Sequence, residues 1–376
     1  MPGAAPPPDP AADARWMALA LALGRRALGQ SWPNPSVGCV IVQGGRVVGR
    51  GHTGPGGRPH AETVALTRAG AAARGATAYV SLEPCAHHGR TPPCARALAE
   101  AGIARVVSAL ADPDPRVAGK GHAMLRSAGL QLEEGCLAEA ARFDHAGFLM
   151  RLQRGRPLLT LKLATSVDGR IATESGESRW ITGAPARRLV HLMRAAQDAV
   201  LIGVGTARAD DPMLDIRGLG IDHRPVRVIA DSRLRTPPEG RLATSAERQP
   251  LWICHGEDAP PAARAAWERR GARLIACATD SGGRVEAADM LARLGAAGLT
   301  RVFCEGGGTL AAGLLAAGLV DRLIGFTAGL ALGAAALPAI APLPAGPLSE
   351  KPRFRLCESR PVGADLMHLW LPEGGG

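Results

Sequence analysis

His60, Cys85 and Cys94 carry the most specific chemistry in this sequence. Imidazole nitrogen and thiolate sulfur are zinc donors, and three protein ligands leave a fourth tetrahedral position for water, as a catalytic site requires. His60 opens the tripeptide His60-Ala61-Glu62, and each cysteine follows a proline. Two thiolates on one metal repel, and helix N-termini at these positions would offset their charge. Glu62, two residues past the histidine, can reach a water activated at the metal without ligating it. It would take the proton of that water and pass it to a departing group. The competing arrangement is a closed structural site, in which His87 or His88 is the fourth ligand and Glu62 has no role.

A second set lies in the C-terminal half. Val302–Glu305 reads as a strand that ends in Gly306-Gly307-Gly308-Thr309 and runs into the helical LAAGLLAAGLV. Strand, glycine run and helix start together make an anion site, because free N–H groups point at a phosphate. Tight strand-to-helix turns use glycine for structural reasons about as often. Gly203-Val204-Gly205-Thr206, followed by Ala209-Asp210-Asp211-Pro212, is a second candidate of the same kind. Lys162 is one of only three lysines, with Lys120 and Lys351, among 44 basic residues. It sits in the apolar run LLTLKLATS, where a charge is costly without a partner. A phosphate or carboxylate partner accounts for it, and an edge strand with the ammonium in water accounts for it equally well.

Positioning these residues takes two domains. Apolar spacing at Trp16, Leu19, Leu21, Leu23 and Leu28 predicts a helix over 13–29 with Asp13 as its cap. VGCVIV, QGGR and VVGRGH predict a hairpin. A helix from His60 to Arg74, the strand ATAYVSLE, a helix after Thr91 and the strand ARVVSAL follow. HAMLRSAG, LQLEEG and an amphipathic helix to Arg151 complete a layered α/β domain of ~150 residues. Residues 1–12 read as a disordered tail and Arg151–Pro157 as a linker, which places the domains at 13–151 and 157–372. In the second, LLTLKLA, DAVLIG, PVRVIAD, PLWIC, ARLIA and TRVFCE are short apolar runs of the kind parallel strands use. Ala184–Ala196 is helical there, and RFRLCESR with ADLMHLWL predict a closing antiparallel pair.

Composition agrees with two globular cores: 376 residues, 46% hydrophobic and 21% charged. The longest apolar run, near Leu319–Ala336, is broken by Asp321 and Arg322, too short to span a membrane. The opening residues lack the basic and apolar regions of a secretory signal. A cytoplasmic location with reduced cysteines is therefore expected. Cys39, Cys254, Cys277 and Cys304 lie in strand-like runs and read as small core residues. The net charge of +10 suits a phosphorylated ligand or nucleic acid. One Tyr and five Phe leave little on which to stack bases, so nucleic acid is not an expected partner.

The combination of His-x-Glu, Pro-Cys and a second cysteine resembles the zinc nucleobase deaminases, in which two residues usually separate the cysteines. Eight separate them here. PNPSVG (Pro33–Gly38), HAE, EPCAHHGRTPPC (Glu83–Cys94), Asp112–Pro115 and Ala118–Gly121 together resemble the bifunctional deaminase–reductase family of riboflavin biosynthesis, where the longer spacing is normal. KLATSVDGR (Lys162–Arg170), SGESRWIT (Ser175–Thr182), Arg194, Ala209–Pro212 and Glu305–Thr309 extend the likeness over the second half, leaving out the stretch 236–294. The resemblance implies an α/β protein with a cytidine-deaminase-like three-layer domain followed by a dihydrofolate-reductase-like domain. It implies zinc-dependent hydrolytic deamination of 2,5-diamino-6-(5-phosphoribosylamino)pyrimidin-4-one. NADPH would then reduce the ribosyl chain to ribityl, delivering hydride to the anomeric carbon of the ring-opened imine.

By the same likeness, Asn34, His87 and Arg90 touch the deaminase substrate, Arg90 at its phosphate. Ser178, Arg194, Leu214, Arg217 and Glu305 would hold the reductase substrate, with Lys162 counted among them. Ala164, Trp180, Thr206, Asp210, Ser232, Gly307, Gly308, Thr309, Leu310, Ala311, Ala312 and Gly313 would line the NADPH site. The expected partner is a small phosphorylated pyrimidine, with a homo-oligomer left open. The residues alone do not choose the nicotinamide. Asp231 at the end of VRVIAD suits a ribose hydroxyl as in NAD enzymes, whereas Ser232, Arg233 and Arg235 suit a 2′-phosphate. Two other functions compete: a nucleic-acid base deaminase with a binding module, and a deaminase with a non-catalytic, nucleotide-binding regulatory C-terminal domain. NADPH turnover on the deaminated substrate separates them.

Overall fold

Helix α1 (Pro10–Arg25) begins earlier than its apolar spacing predicts, because Asp9 caps it rather than Asp13. The Asp9 carboxylate accepts the N–H groups of Ala11 and Ala12 at 3.1 and 3.2 Å, and Pro10 fills a first-turn position that needs no N–H. Asp13 is buried instead, accepting two guanidinium bonds from Arg105 (2.8 and 2.7 Å) and one from the Tyr79 hydroxyl (2.9 Å). Residues 10–12 thus belong to a helix and not to a tail. The computed structural model describes residues 9–86, 92–114 and 118–374.

The chain forms two units, Met1–Arg154 and Gly155–Gly376. In the first, strands β1 (Gly38–Gln43) and β2 (Arg46–His52) form a hairpin turned by Gly44 and Gly45, at φ +55° and +72°. Two consecutive left-handed residues are what a type I′ turn needs. Then come α2 (Ala61–Ala69), β3 (Thr77–Val80), α3 (Cys94–Glu100), β4 (Arg105–Ser108), α4 (Lys120–Ser127), β5 (Gln131–Glu134) and α5 (Ala138–Arg154). The sheet order is β2-β1-β3-β4-β5. Helices lie on both faces. A Cβ on Gly38 would stand 1.8 Å from the Ala20 carbonyl of α1, and one on Gly51, on the opposite face in register, 2.4 Å from the Ala61 carbonyl of α2. α5 runs to Arg154, through the first four residues of the predicted linker.

The second unit contains β6 (Leu158–Ser166), β7 (Arg170–Ala172), α6 (Ala184–Ala195), β8 (Ala199–Gly203), α7 (Val204–Asp210) and β9 (Val226–Ala230). Next are α8 (Arg241–Thr244), β10 (Leu251–Gly256), α9 (Pro261–Arg269), β11 (Arg273–Cys277) and α10 (Ala287–Ala296). The last elements are β12 (Arg301–Cys304), α11 (Gly308–Ala316), β13 (Arg322–Ala328), β14 (Leu337–Pro338), β15 (Phe354–Val362) and β16 (Asp365–Pro372). Nine strands form one sheet in the order β11-β10-β9-β8-β12-β6-β13-β16-β15. Strands from β11 to β13 run parallel, and β16 and β15 close the sheet as the predicted antiparallel pair. Residues 236–294, which no motif covers, supply β10 and β11 at the outer end.

Two features of this order position the site. β6 lies between β12 and β13, so Lys162 is on a central strand and the edge-strand account of it fails. β8 and β12 are parallel neighbours whose successors, β9 and β13, lie in opposite directions along the sheet. Their carboxyl ends therefore border a topological switch point, where open α/β sheets bind ligands. Among the described residues no helix is long and apolar enough to cross a membrane.

Candidate functional site

In the first unit, His60 is the residue before α2, Cys85 follows β3 across Ser81–Pro84, and Cys94 opens α3. One sheet end gathers all three, with their donor atoms within 4.8 Å of one another. His60 Nδ1 lies 3.1 Å from Cys94 Sγ and 3.7 Å from Cys85 Sγ. Zinc bonds of roughly 2.0–2.3 Å in a tetrahedron put donors about 3.5 Å apart, so this set fits the metal. Cys85 is held down to about 4 by hydrogen bonding from Cys94 and then from His60, against its burial. The Cys94 thiol is pushed far up by the thiolate of Cys85. The Cys94 backbone N–H at the start of α3 also donates to Cys85 Sγ at 3.3 Å.

Glu62 lies in the first turn of α2, 4% exposed. Burial pushes its carboxyl up to about 7, the range in which a group both takes and gives protons near neutral pH. A cavity of about 410 Å³ opens beside it, lined by Asn34, Thr53, Arg58, His60, Glu62, Glu83, Cys85, Asp112, Asp114, Phe148 and Arg151, among others. Asn34 donates through Nδ2 to the Gly56 carbonyl at 3.1 Å. His87, His88 and Arg90 lie outside the described residues. Sequence reasoning assigned no site role to Glu83, Arg58, Asp112, Asp114, Phe148 or Arg151. The Asp112-Pro113-Asp114-Pro115 run was a signal for two of them; Phe148 and Arg151 are ordinary positions of an amphipathic helix until α5 is placed beside the cavity.

In the second unit, Glu305 follows β12 and meets two cations. Lys162 Nζ lies 3.2 Å from Oε2, and Arg194 from α6 spans both oxygens at 2.6 and 3.2 Å. Burial would raise the Glu305 carboxyl, but Arg194 and Lys162 outweigh it and hold it at about 2. Arg194 also donates to the Asp215 carbonyl at 2.8 Å, and the Asp215 carboxylate pairs with Arg217 at 3.0 Å. This ties the segment carrying Leu214 and Arg217 to the cluster. Leu214 holds a left-handed backbone, φ +52°, in a buried position, a strain that persists only where the surroundings over-determine it. Ser178 is half-buried on the β7–α6 connection, and no described hydrogen bond joins it to the cluster. Lys162→Met is expected to lower reductase kcat/KM about 10- to 100-fold, the worth of a charged hydrogen bond, and to leave ammonia release unchanged. Parallel assays of the two activities check this.

The two glycine runs meet at the switch point. A Cβ on Gly306 would lie 3.3 Å from the Gly203 nitrogen, and one on Gly307 would lie 3.3 Å from Thr206 Oγ1. Gly203 and Gly307 precede α7 and α11 as N-caps that offer no side-chain hydrogen bond, and first-turn N–H groups have no intrahelical partner. Gly308, Thr309 and Leu310 supply such donors, whereas the Ala311 N–H already bonds the Gly307 carbonyl at 3.1 Å. Ala311 and Ala312 are buried, and Gly313 faces open space. Ala164 lies on β6 beside Phe326. Asp210 accepts Arg179 and Arg241 through its carbonyl. Trp180 is 67% exposed with the Arg187 guanidinium 4.2 Å from its ring. The Ser232 hydroxyl accepts the Val285 N–H at 2.8 Å. Asp231 is fully buried and accepts Thr236 N–H and Oγ1 at 2.7 and 2.8 Å. Its carboxylate closes the turn after β9, so it is not the ribose-binding acid its place in VRVIAD allowed.

A buried glutamate beside a His-Cys-Cys group on one unit, and glycine-lined parallel strand ends on the other, fit the class that the family matches give, a deaminase with a zinc-binding region joined to a reductase. The cytidine and deoxycytidylate deaminase zinc-binding region matches residues 10–110, and the RibD C-terminal domain matches 157–368. Riboflavin biosynthesis protein RibD of Escherichia coli K12 is 40% identical over 95% of this chain and 99% of that protein. RibD of Acinetobacter baumannii superposes with a TM-score of 0.87 at 37% identity, covering 97% of this chain and 99% of that one. The diaminohydroxyphosphoribosylaminopyrimidine deaminase/5-amino-6-(5-phosphoribosylamino)uracil reductase of Thermotoga maritima superposes at 0.85 with 31% identity, covering 96% and 99%. The chain belongs to the RibD family of bifunctional deaminase–reductases of riboflavin biosynthesis. Its units are the cytidine-deaminase-like and dihydrofolate-reductase-like domains of that family.

Proposed function

We propose that the first unit deaminates 2,5-diamino-6-(5-phosphoribosylamino)pyrimidin-4-one and that the second reduces the ribosyl arm of the product with NADPH. The observation that carries the first half is the buried Glu62 beside the His60–Cys85–Cys94 group. These three side chains would hold zinc, which when bound supplies Lewis-acid activation of water. Glu62 takes a proton from the attacking water on its carboxylate and gives it to the amino nitrogen that leaves as ammonia. Asn34 and Arg90 hold the substrate, Arg90 by its phosphate.

In the second unit, the N–H groups of Gly308, Thr309 and Leu310 would hold the pyrophosphate of NADPH, a donor set that fits an anion. Bound NADPH supplies the hydride. Glu305, fixed by Lys162 and Arg194, accepts hydrogen bonds from the ribosyl hydroxyls, and Arg217 meets the phosphate. The two reactants are thereby aligned across the switch point.

Cys94→Ser is expected to weaken zinc binding at least about tenfold, since a three-ligand site reduced to two binds poorly. Metal content and ammonia release should fall together, with NADPH oxidation on the deaminated substrate intact. Full zinc and full deamination in this variant would remove Cys94 from the ligand set.

A further inference from the structure

We infer that Glu83 is a positioning residue of the deaminase, whose buried carboxylate holds the rim residues Asp112 and Asp114 against the reaction cavity. Glu83 is 3% exposed, two residues before Cys85. Its Oε2 accepts the N–H groups of Asp112 and Gly119, both at 3.0 Å. Its Oε1 accepts those of Gly121 and His122 at 2.8 and 3.2 Å. Among the described residues, the nearest cationic candidate, His122 Nδ1, is 4.0 Å away and bonds Glu134 at 2.9 Å instead. The carboxylate charge is therefore met by backbone donors, three of them at the start of α4, where a helix favours an anion.

The bonds run on toward the cavity. Asp112 Oδ1 accepts the Asp114 N–H at 2.9 Å, and Glu83, Asp112 and Asp114 all line the same space as His60 and Glu62. Both rim aspartates are under a tenth exposed. α4 packs directly on the segment leading to Cys85: a Cβ on Gly121 would stand 1.9 Å from the Pro84 carbonyl. One side chain thus joins three parts, namely the strand end that delivers a metal ligand, the acidic rim, and α4. An ionised carboxylate accepts at both oxygens, whereas an amide turns an NH₂ toward N–H donors. Glu83→Gln keeps the shape and breaks the anchor. What moves is the rim, whose acceptors suit the amino groups of a diaminopyrimidine; this step rests on the substrate proposed above.

The test uses the full-length zinc-loaded chain. Glu83→Gln is expected to raise the deaminase KM for that pyrimidine about tenfold or more, with kcat changed much less. Zinc per chain should stay as in the parent, and amide exchange at 112–114 and 119–122 should quicken. A parental KM, or a fall in kcat with KM unchanged, overturns the proposal; so does loss of zinc, which would make Glu83 a support of Cys85 alone. If Glu83→Gln does not fold, Glu83→Asp keeps the charge but draws the carboxylate back by one methylene from its backbone donors. It should reproduce the KM rise, and a parental KM there overturns the proposal too. A parent chain that does not deaminate this pyrimidine fails the substrate assignment instead, and the exchange rates at 112–114 then decide for or against Glu83.

Discussion

Glu62→Gln should keep its zinc and lose deamination by about 10²- to 10⁴-fold, the usual contribution of a positioned proton carrier. Glutamine fills the same space in the first turn of α2, and His60, Cys85 and Cys94 are untouched, so metal content is preserved. What disappears is a group that can accept a proton from water and release it to the leaving nitrogen. The parent carboxyl, raised to about 7 by burial, is suited to both steps. Ammonia release, metal analysis and NADPH oxidation on pre-deaminated substrate measure the three consequences separately. A normal rate of ammonia release from this variant would show that Glu62 carries no proton.

Glu305→Gln should be the most damaging single change in the second unit. It leaves Lys162 and Arg194, 14% and 13% exposed at their side chains, without their shared counter-charge. Removing one partner of a buried ion pair costs about 3–5 kcal/mol. Urea unfolding of that unit should report the loss, and NADPH oxidation should fall by more than the unfolded fraction explains. The pH dependence has a definite sign. Glu305 is held at about 2, below its ordinary 4.5, so the folded state takes up its proton later than the unfolded state does. Its stabilisation is complete above about pH 4.5 and is lost as pH falls toward 2. The glutamine variant should therefore show a flatter stability curve between pH 5 and pH 2. Equal slopes in the two proteins would mean that Glu305 is not the group being protonated there.

The chemistry was more legible in the sequence than the geometry. His60, Glu62, Cys85 and Cys94 stood out because zinc chemistry demands those types, and Lys162 because an ammonium inside an apolar strand needs a reason. The residue that answers that reason, Glu305, lies 143 positions away, and Arg194, which shares its carboxylate, comes from a different helix, so periodicity cannot pair them. Asp13 looked like a cap because caps and buried ion pairs use the same carboxylate; only Arg105, across the sheet, distinguishes the two. Strand order is equally non-local: LLTLKLATS reads the same on an edge or in the centre. Asp231 stayed open to a ribose-binding role for a related reason, since its partner Thr236 sits in a turn that no apolar pattern marks. Glu83 opened a motif, EPC, but nothing in it spoke of its role, because its four described partners are backbone groups distant in sequence.

The strand order of the second unit also sets a timetable for its synthesis. Among the described residues β6 pairs in the main sheet only with β12 and β13, so the strand carrying Lys162 has no neighbour there until residues 301–304 leave the ribosome. The first unit has every strand of its own sheet once Glu134 has emerged. Deaminase folding can therefore run ahead, while a nascent reductase waits with β6 and β8 presenting open apolar edges. Long-range parallel pairing of this kind is slow, and an unpaired edge is what invites aggregation. The hazard for this polypeptide falls in the window between about residue 166 and residue 304, the interval in which a chaperone has most to protect.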